Sequence, residues 1–167
     1  MAGRLRTLFL LVGMFPALAA SSKTLAFEDQ NGVPGTYQSA EVARALEQFR
    51  GQPLILVFAP GLWGDYCKQA AELAAHATPL DRRHVRVAWL LSHDAGQKTC
   101  DFSNSINDVE LKVGGTNGSV LPVFHFFHAP ENAFSVLLLD GAGATILRSS
   151  KPVLFAEIRR HLGAPQK

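Results

Sequence analysis

Apolar runs, helical spacing and turn residues divide the chain into alternating elements. SAEVARALEQFRG, residues 39–51, sets Val42, Leu46 and Phe49 at helical spacing behind Ser39, a suitable N-cap, and stops at Gly51. It reads as an amphipathic helix. PLILVFAP, 53–60, is a short β-prone run between prolines, as expected of a central strand covered on both faces. YCKQAAELAAHA, 66–77, is rich in helix-forming residues, and HVRVAWLL, 84–91, returns to a strand pattern. Strand, helix and strand in that order predict a βαβ unit with parallel pairing. FSVLLLDGAGATILRSS, 134–150, holds two apolar runs around D-G-A-G and predicts an antiparallel hairpin. KPVLFAEIRRHLG, 151–163, predicts a closing helix with Pro152 near its start and Gly163 past its end.

The stretch from 95 to 132 supports two readings. Val109, Leu111 and Val113 alternate with polar residues, G-G-T-N-G follows and SVLPVFHFF resumes an apolar run, which favours a second hairpin. A crossover helix over 120–128 would instead carry the chain back across the sheet before the strand at 134, with Ser119 as its cap and Pro122 in its first turn. The helix is the reading adopted. No internal repeat or low-complexity tract interrupts the pattern.

The N-terminus changes the picture of where the protein works. Arg4 and Arg6 precede an apolar run from Leu8 to Leu18 and an A-L-A triplet at 17–19, the three parts of a secretory signal. Residues 1–19 are therefore expected to be a leader cut after Ala19, too short to span a bilayer, with export to the periplasm or beyond the cell. Residues 20–38 form a polar lead-in with a short strand at Thr24–Phe27; 39–163 form one domain with an insert around 97–132; 164–167 are a tail. The leader holds two of the 16 basic residues and none of the 14 acidic ones, so the remainder carries 14 of each. That balance disfavours nucleic-acid binding, which needs a surplus of clustered Lys and Arg. The expected partner is a protein or peptide, and the domain is expected to be a monomer without cofactor.

The two cysteines, Cys67 and Cys100, would meet an oxidising compartment after export, where a disulfide persists. Pairing requires their Cα atoms to come within about 7 Å, and spacing alone leaves that open. A bridge would close a loop of 33 residues and stabilise the fold by roughly 3 to 4 kcal/mol on chain-entropy grounds.

GLWGDYCKQ, 61–69, carries the candidate chemistry. A thioredoxin active site reads W-C-G-P-C-K after an apolar strand. Trp63, Cys67 and Lys68 occupy matching places, and Gly64 stands where the attacking cysteine would be. Together with PLILVFAP, with Gln69 and AAELAAHATPLDRRHVRV, and with FSVLLLDGAGATILRSSKPVLFAEI, this resembles a thioredoxin-like domain family of unknown function, found in bacterial exported proteins and in sushi-repeat and related extracellular-matrix proteins. The resemblance implies an α/β, thioredoxin-like three-layer sandwich with a central mixed sheet of four to five strands. It implies no reaction.

Dithiol exchange needs an attacking thiolate and a resolving thiol. Gly64 supplies neither, so Cys67 is the one candidate catalytic residue, as a single reactive thiol or through a Cys67/Cys100 disulfide; its structural alternative is a buried or bridged cysteine. The fold's redox members also place a cis-proline just before the strand facing this loop, a place that falls here at Ala133 and Phe134. Trp63 and Tyr66 are candidate binding residues or covers for the sheet edge. His125 and His128, with His93, Asp94 or Cys100, form no recognisable metal pattern, so no metal site is expected. The chain reads as a binding or structural module without dithiol activity, with a periplasmic redox protein as the alternative.

Overall fold

The computed structural model describes residues 37–92, 100, 107–111 and 120–163. The leader, the strand at 24–27, Ser119 and much of the insert lie outside the described residues.

Helix α1 (Tyr37–Glu47) leads into β1 (Leu54–Ala59), followed by α2 (Asp65–Ala75), α3 (Ala77–Asp81) and β2 (Arg86–Leu91). A two-residue strand β3 (Asp108–Val109), α4 (Leu121–Phe126), β4 (Ser135–Leu139), β5 (Thr145–Ser149) and α5 (Phe155–His161) complete the order. The five strands form one mixed sheet in the order β3-β2-β1-β4-β5. β1 and β2 run parallel from Leu54 opposite Arg86, as do β2 and β3, while β4 is antiparallel to both β1 and β5. This is a thioredoxin-like α/β fold.

All six residues of β1 are buried, because the strand is covered on both faces. Leu54, Leu56 and Phe58 pack with Val42 and Leu46 of α1 and with Val123, Phe124 and Phe127 around α4. Ile55 and Val57 pack on the other side with Leu73, Leu80 and Ile158. The alternation along one strand thus builds both halves of the core.

Several boundaries differ from the sequence reading for identifiable reasons. α1 begins at Tyr37, which puts Ser39 inside the helix and not at its cap. The helix at 66–77 is split at His76 because Pro79 has no N–H to donate and its ring would crowd the carbonyl four residues back. A new helix starting at Ala77 holds Pro79 in its first turn, where neither defect matters.

β2 starts at Arg86, since His84 is taken up in closing α3. His84 has φ +54, its N–H bonds the Asp81 carbonyl at 2.8 Å, and Val85 N–H bonds the Leu80 carbonyl at 3.0 Å, a Schellman arrangement. α4 closes likewise through His128, φ +50, with Ala129 N–H on the Phe124 carbonyl at 2.8 Å. The closing helix starts at Phe155, because the preceding segment is held extended against α2. The buried Gln69 donates to the Val153 carbonyl at 3.2 Å and accepts from the Val153 N–H at 2.6 Å, and the Glu72 carboxylate accepts the Phe155 N–H at 2.8 Å.

The region after 119 follows the crossover-helix reading, with Pro122 in the first turn of α4. The hairpin forms as expected: Asp140 Oδ1 accepts from Ala142 and Ala144 N–H, both at 2.9 Å, and the β4–β5 register breaks between Leu138 and Leu139. Gly141 lies against Gly51, whose N–H bonds its carbonyl at 2.8 Å; a Cβ there would meet Gly51 backbone at 3.0 Å. No helix of the described residues is long and apolar enough to cross a membrane.

Candidate functional site

The loop from β1 to α2 is shaped by two glycines. Gly64 has φ +57 and ψ −119, close to the first central position of a type II′ turn, and the turn is closed by Tyr66 N–H on the Trp63 carbonyl at 3.1 Å. A side chain at that φ is strained even though no atom would obstruct its Cβ. Position 64 is thus set by backbone geometry: it initiates α2, with Lys68 N–H bonding its carbonyl at 3.2 Å. At Gly61 the constraint is steric. The Trp63 ring lies across it so closely that a Cβ would fall 1.7 Å from a ring carbon.

Cys67 stands in the first turn of α2 and is joined to Cys100, with sulfurs 2.03 Å and Cα atoms 5.8 Å apart. Both sulfurs approach the Leu62 carbonyl, at 3.5 and 3.6 Å. Neither carries a proton when bridged, so these are packing contacts and not hydrogen bonds. Each cysteine is half-buried. The bridge therefore ties the insert to the loop at the place where a thioredoxin-type site would sit.

The two aromatic candidates are held differently. Trp63 is 47% exposed. Tyr66 turns onto Trp89 edge to face, 5.1 Å between ring centroids, and Trp89 Nε1 donates to Asp108 at 2.9 Å. Burial, and then the nearby Asp108 charge, raise the Tyr66 pKa above its ordinary value near 10. The neutral phenol is favoured in the folded state, so its contribution to stability is complete below the unfolded pKa and is lost as pH rises through the higher folded value. Tyr66→Phe is expected to flatten the alkaline fall in stability above about pH 10, measured as urea midpoint against pH. An unchanged slope would mean that Tyr66 is not held as described.

His125, of the H-F-F-H stretch, and His76 are engaged separately. His125 bonds Glu131 at 2.8 Å, and His76 stacks on Phe155 at 4.5 Å. His93 and Asp94 lie outside the described residues, and among the described residues no three His, Cys, Asp or Glu side chains group as a metal site would require. Before β4, Ala133 and Phe134 stand where a redox member would place its proline, and the described residues contain no cis peptide bond. Asp108 and Trp89, which fix Tyr66, carry no motif in the sequence; only the tertiary pairing of β2 with β3 brings them together.

No family model matches the chain, and neither does any curated protein. Among solved structures, the crystal structure of T. cruzi GPX1, a glutathione peroxidase, is similar over 70% of this chain and 83% of that one, at 20% identity and a TM-score of 0.47. The likeness is to fold alone.

Proposed function

We propose that this chain is an exported member of the thioredoxin-like family of unknown function named above, acting in the periplasm or outside the cell as a monomeric binding or structural module for a protein or peptide, without dithiol exchange. The observation that supports this is the Trp63–Tyr66 turn: position 64 needs glycine for its backbone, and Cys67, the remaining thiol of the motif, is spent in a bridge to Cys100. With no attacking sulfur at 64, electrons have no entry through the usual route. The bridge then serves as a staple.

A redox role has one observation in its favour. The bond is half-exposed, and Cys67 lies in the first turn of a helix, where the N-terminal N–H groups favour a departing thiolate.

Insulin reduction by dithiothreitol separates the two. The purified domain is expected to leave the rate unchanged and to show no thiol until it is both denatured and reduced. Acceleration that disappears in Cys67→Ser would replace the module with the redox protein.

A further inference from the structure

The end of the sheet remote from Cys67 carries a cleft that this proposal leaves unused. It opens beside the start of β1 and the β4–β5 turn, with a volume of about 440 Å³, within the range of small-molecule sites. Arg82, Arg83 and His84 line it from the end of α3, His161 from the last turn of α5, and Asp140 from the hairpin. The triplet R-R-H occurs at 82–84 and again at 159–161. The fold brings the first triplet and the last residue of the second to one cavity.

Several cations elsewhere are engaged within the protein. Arg44, Arg50 and Lys68 pair with carboxylates on their own helical stretches, and Arg148 donates to the Phe127 carbonyl. Within the cleft, Arg83 is engaged by the Gly163 carbonyl at 2.9 Å. The Arg82 guanidinium and the rings of His84 and His161 have no hydrogen-bond or ion-pair partner among the described residues. Asp140, the carboxylate in the lining, is already turned to the Ala142 and Ala144 N–H groups. Ile146 and Leu162 add an apolar wall. His84 also occupies a left-handed position that glycine would fill without strain.

We propose that this cleft binds a small organic phosphate, its phosphoryl oxygens taken by Arg82, His84 and His161 and its apolar body resting on Ile146 and Leu162. A planar guanidinium offers paired donors to phosphate oxygens, and imidazoles from two separate elements supply further donors around the same group. The site is independent of the state of the Cys67 to Cys100 bond.

Phenyl phosphate and inorganic phosphate are the probes, followed by amide chemical shifts of the oxidised domain. Phenyl phosphate is expected to shift residues 82–84 and 161–162 saturably and to bind at least about tenfold more tightly than inorganic phosphate, through the apolar wall. Arg82→Ala and His161→Ala are each expected to weaken it about tenfold, the loss of one charge-assisted bond. His84→Gly separates binding from folding: it is expected to weaken binding while raising the melting temperature by about 3 °C. No saturable shift below about 20 mM phenyl phosphate, or unchanged affinity in Arg82→Ala and His161→Ala, would overturn the site. Equal affinity for the two probes would overturn the assignment to an organic phosphate.

Discussion

Gln69→Leu is expected to lower the unfolding free energy by about 2 to 4 kcal/mol, read from urea denaturation. The side chain is wholly buried in α2, and its amide both donates to and accepts from the backbone of Val153, 84 residues away. Leucine fills nearly the same space, so the cavity contribution is small and the loss is one of polar satisfaction: a buried N–H and a buried C=O are left unpaired together. The extended segment before α5 then loses its anchor, and the Phe155 N–H held by Glu72 is loosened with it. Gln69→Glu is a sharper probe, since a carboxylate still accepts from the Val153 N–H but has nothing to donate to its carbonyl. It is expected to cost at least as much as leucine at neutral pH, because the charge is buried. A loss under about 1 kcal/mol in the leucine variant would show that water or a shifted backbone replaces these bonds.

Cutting the bridge is expected to have an effect of similar size by a different route. Cys67→Ser, Cys100→Ser and the reduced protein should each lose roughly 3 to 4 kcal/mol, from release of a 33-residue loop in the unfolded chain. The double variant should lose no more than either single one, because the constraint disappears with the first sulfur. Since the unfolded chain expands when uncrosslinked, the slope of unfolding free energy against urea should rise as the midpoint falls. Gln69→Leu has no such effect, so the slope distinguishes the two. If reduction shifted the midpoint little, the bridge would not be the staple of the proposed function.

The sheet was legible because its signals are local. PLILVFAP announces a doubly covered strand, and D-G-A-G between apolar runs announces a hairpin, each from composition within about ten residues. Helix ends were less legible, because distant groups decide them. KPVL looks like the first turn of a helix until Gln69 draws Val153 into an extended path, and His84 looks like strand until the closing turn of α3 claims it. The crossover helix needed topology to outweigh an alternating pattern at 109–113, of which Val109 belongs to β3. At the candidate site, Gly64 was recognised by what it lacks. The turn that requires it, and the Trp63 ring lying over Gly61, follow from dihedral angles and contacts that no residue pattern encodes. The cleft between α3 and α5 was hidden for the same reason, since its polar side chains come from segments about 80 residues apart.

The register break between Leu138 and Leu139 also shapes the outer edge of the sheet. β5 is an outer strand, and an open flank of unmet amides and carbonyls invites a foreign chain to dock alongside. The kink puts Ile146 out of step, and Arg148 adds a charge to the same short strand. The opposite flank, β3, is two residues long. Among the described residues, neither outer strand offers a long, regular row of amides and carbonyls for a foreign chain to pair along.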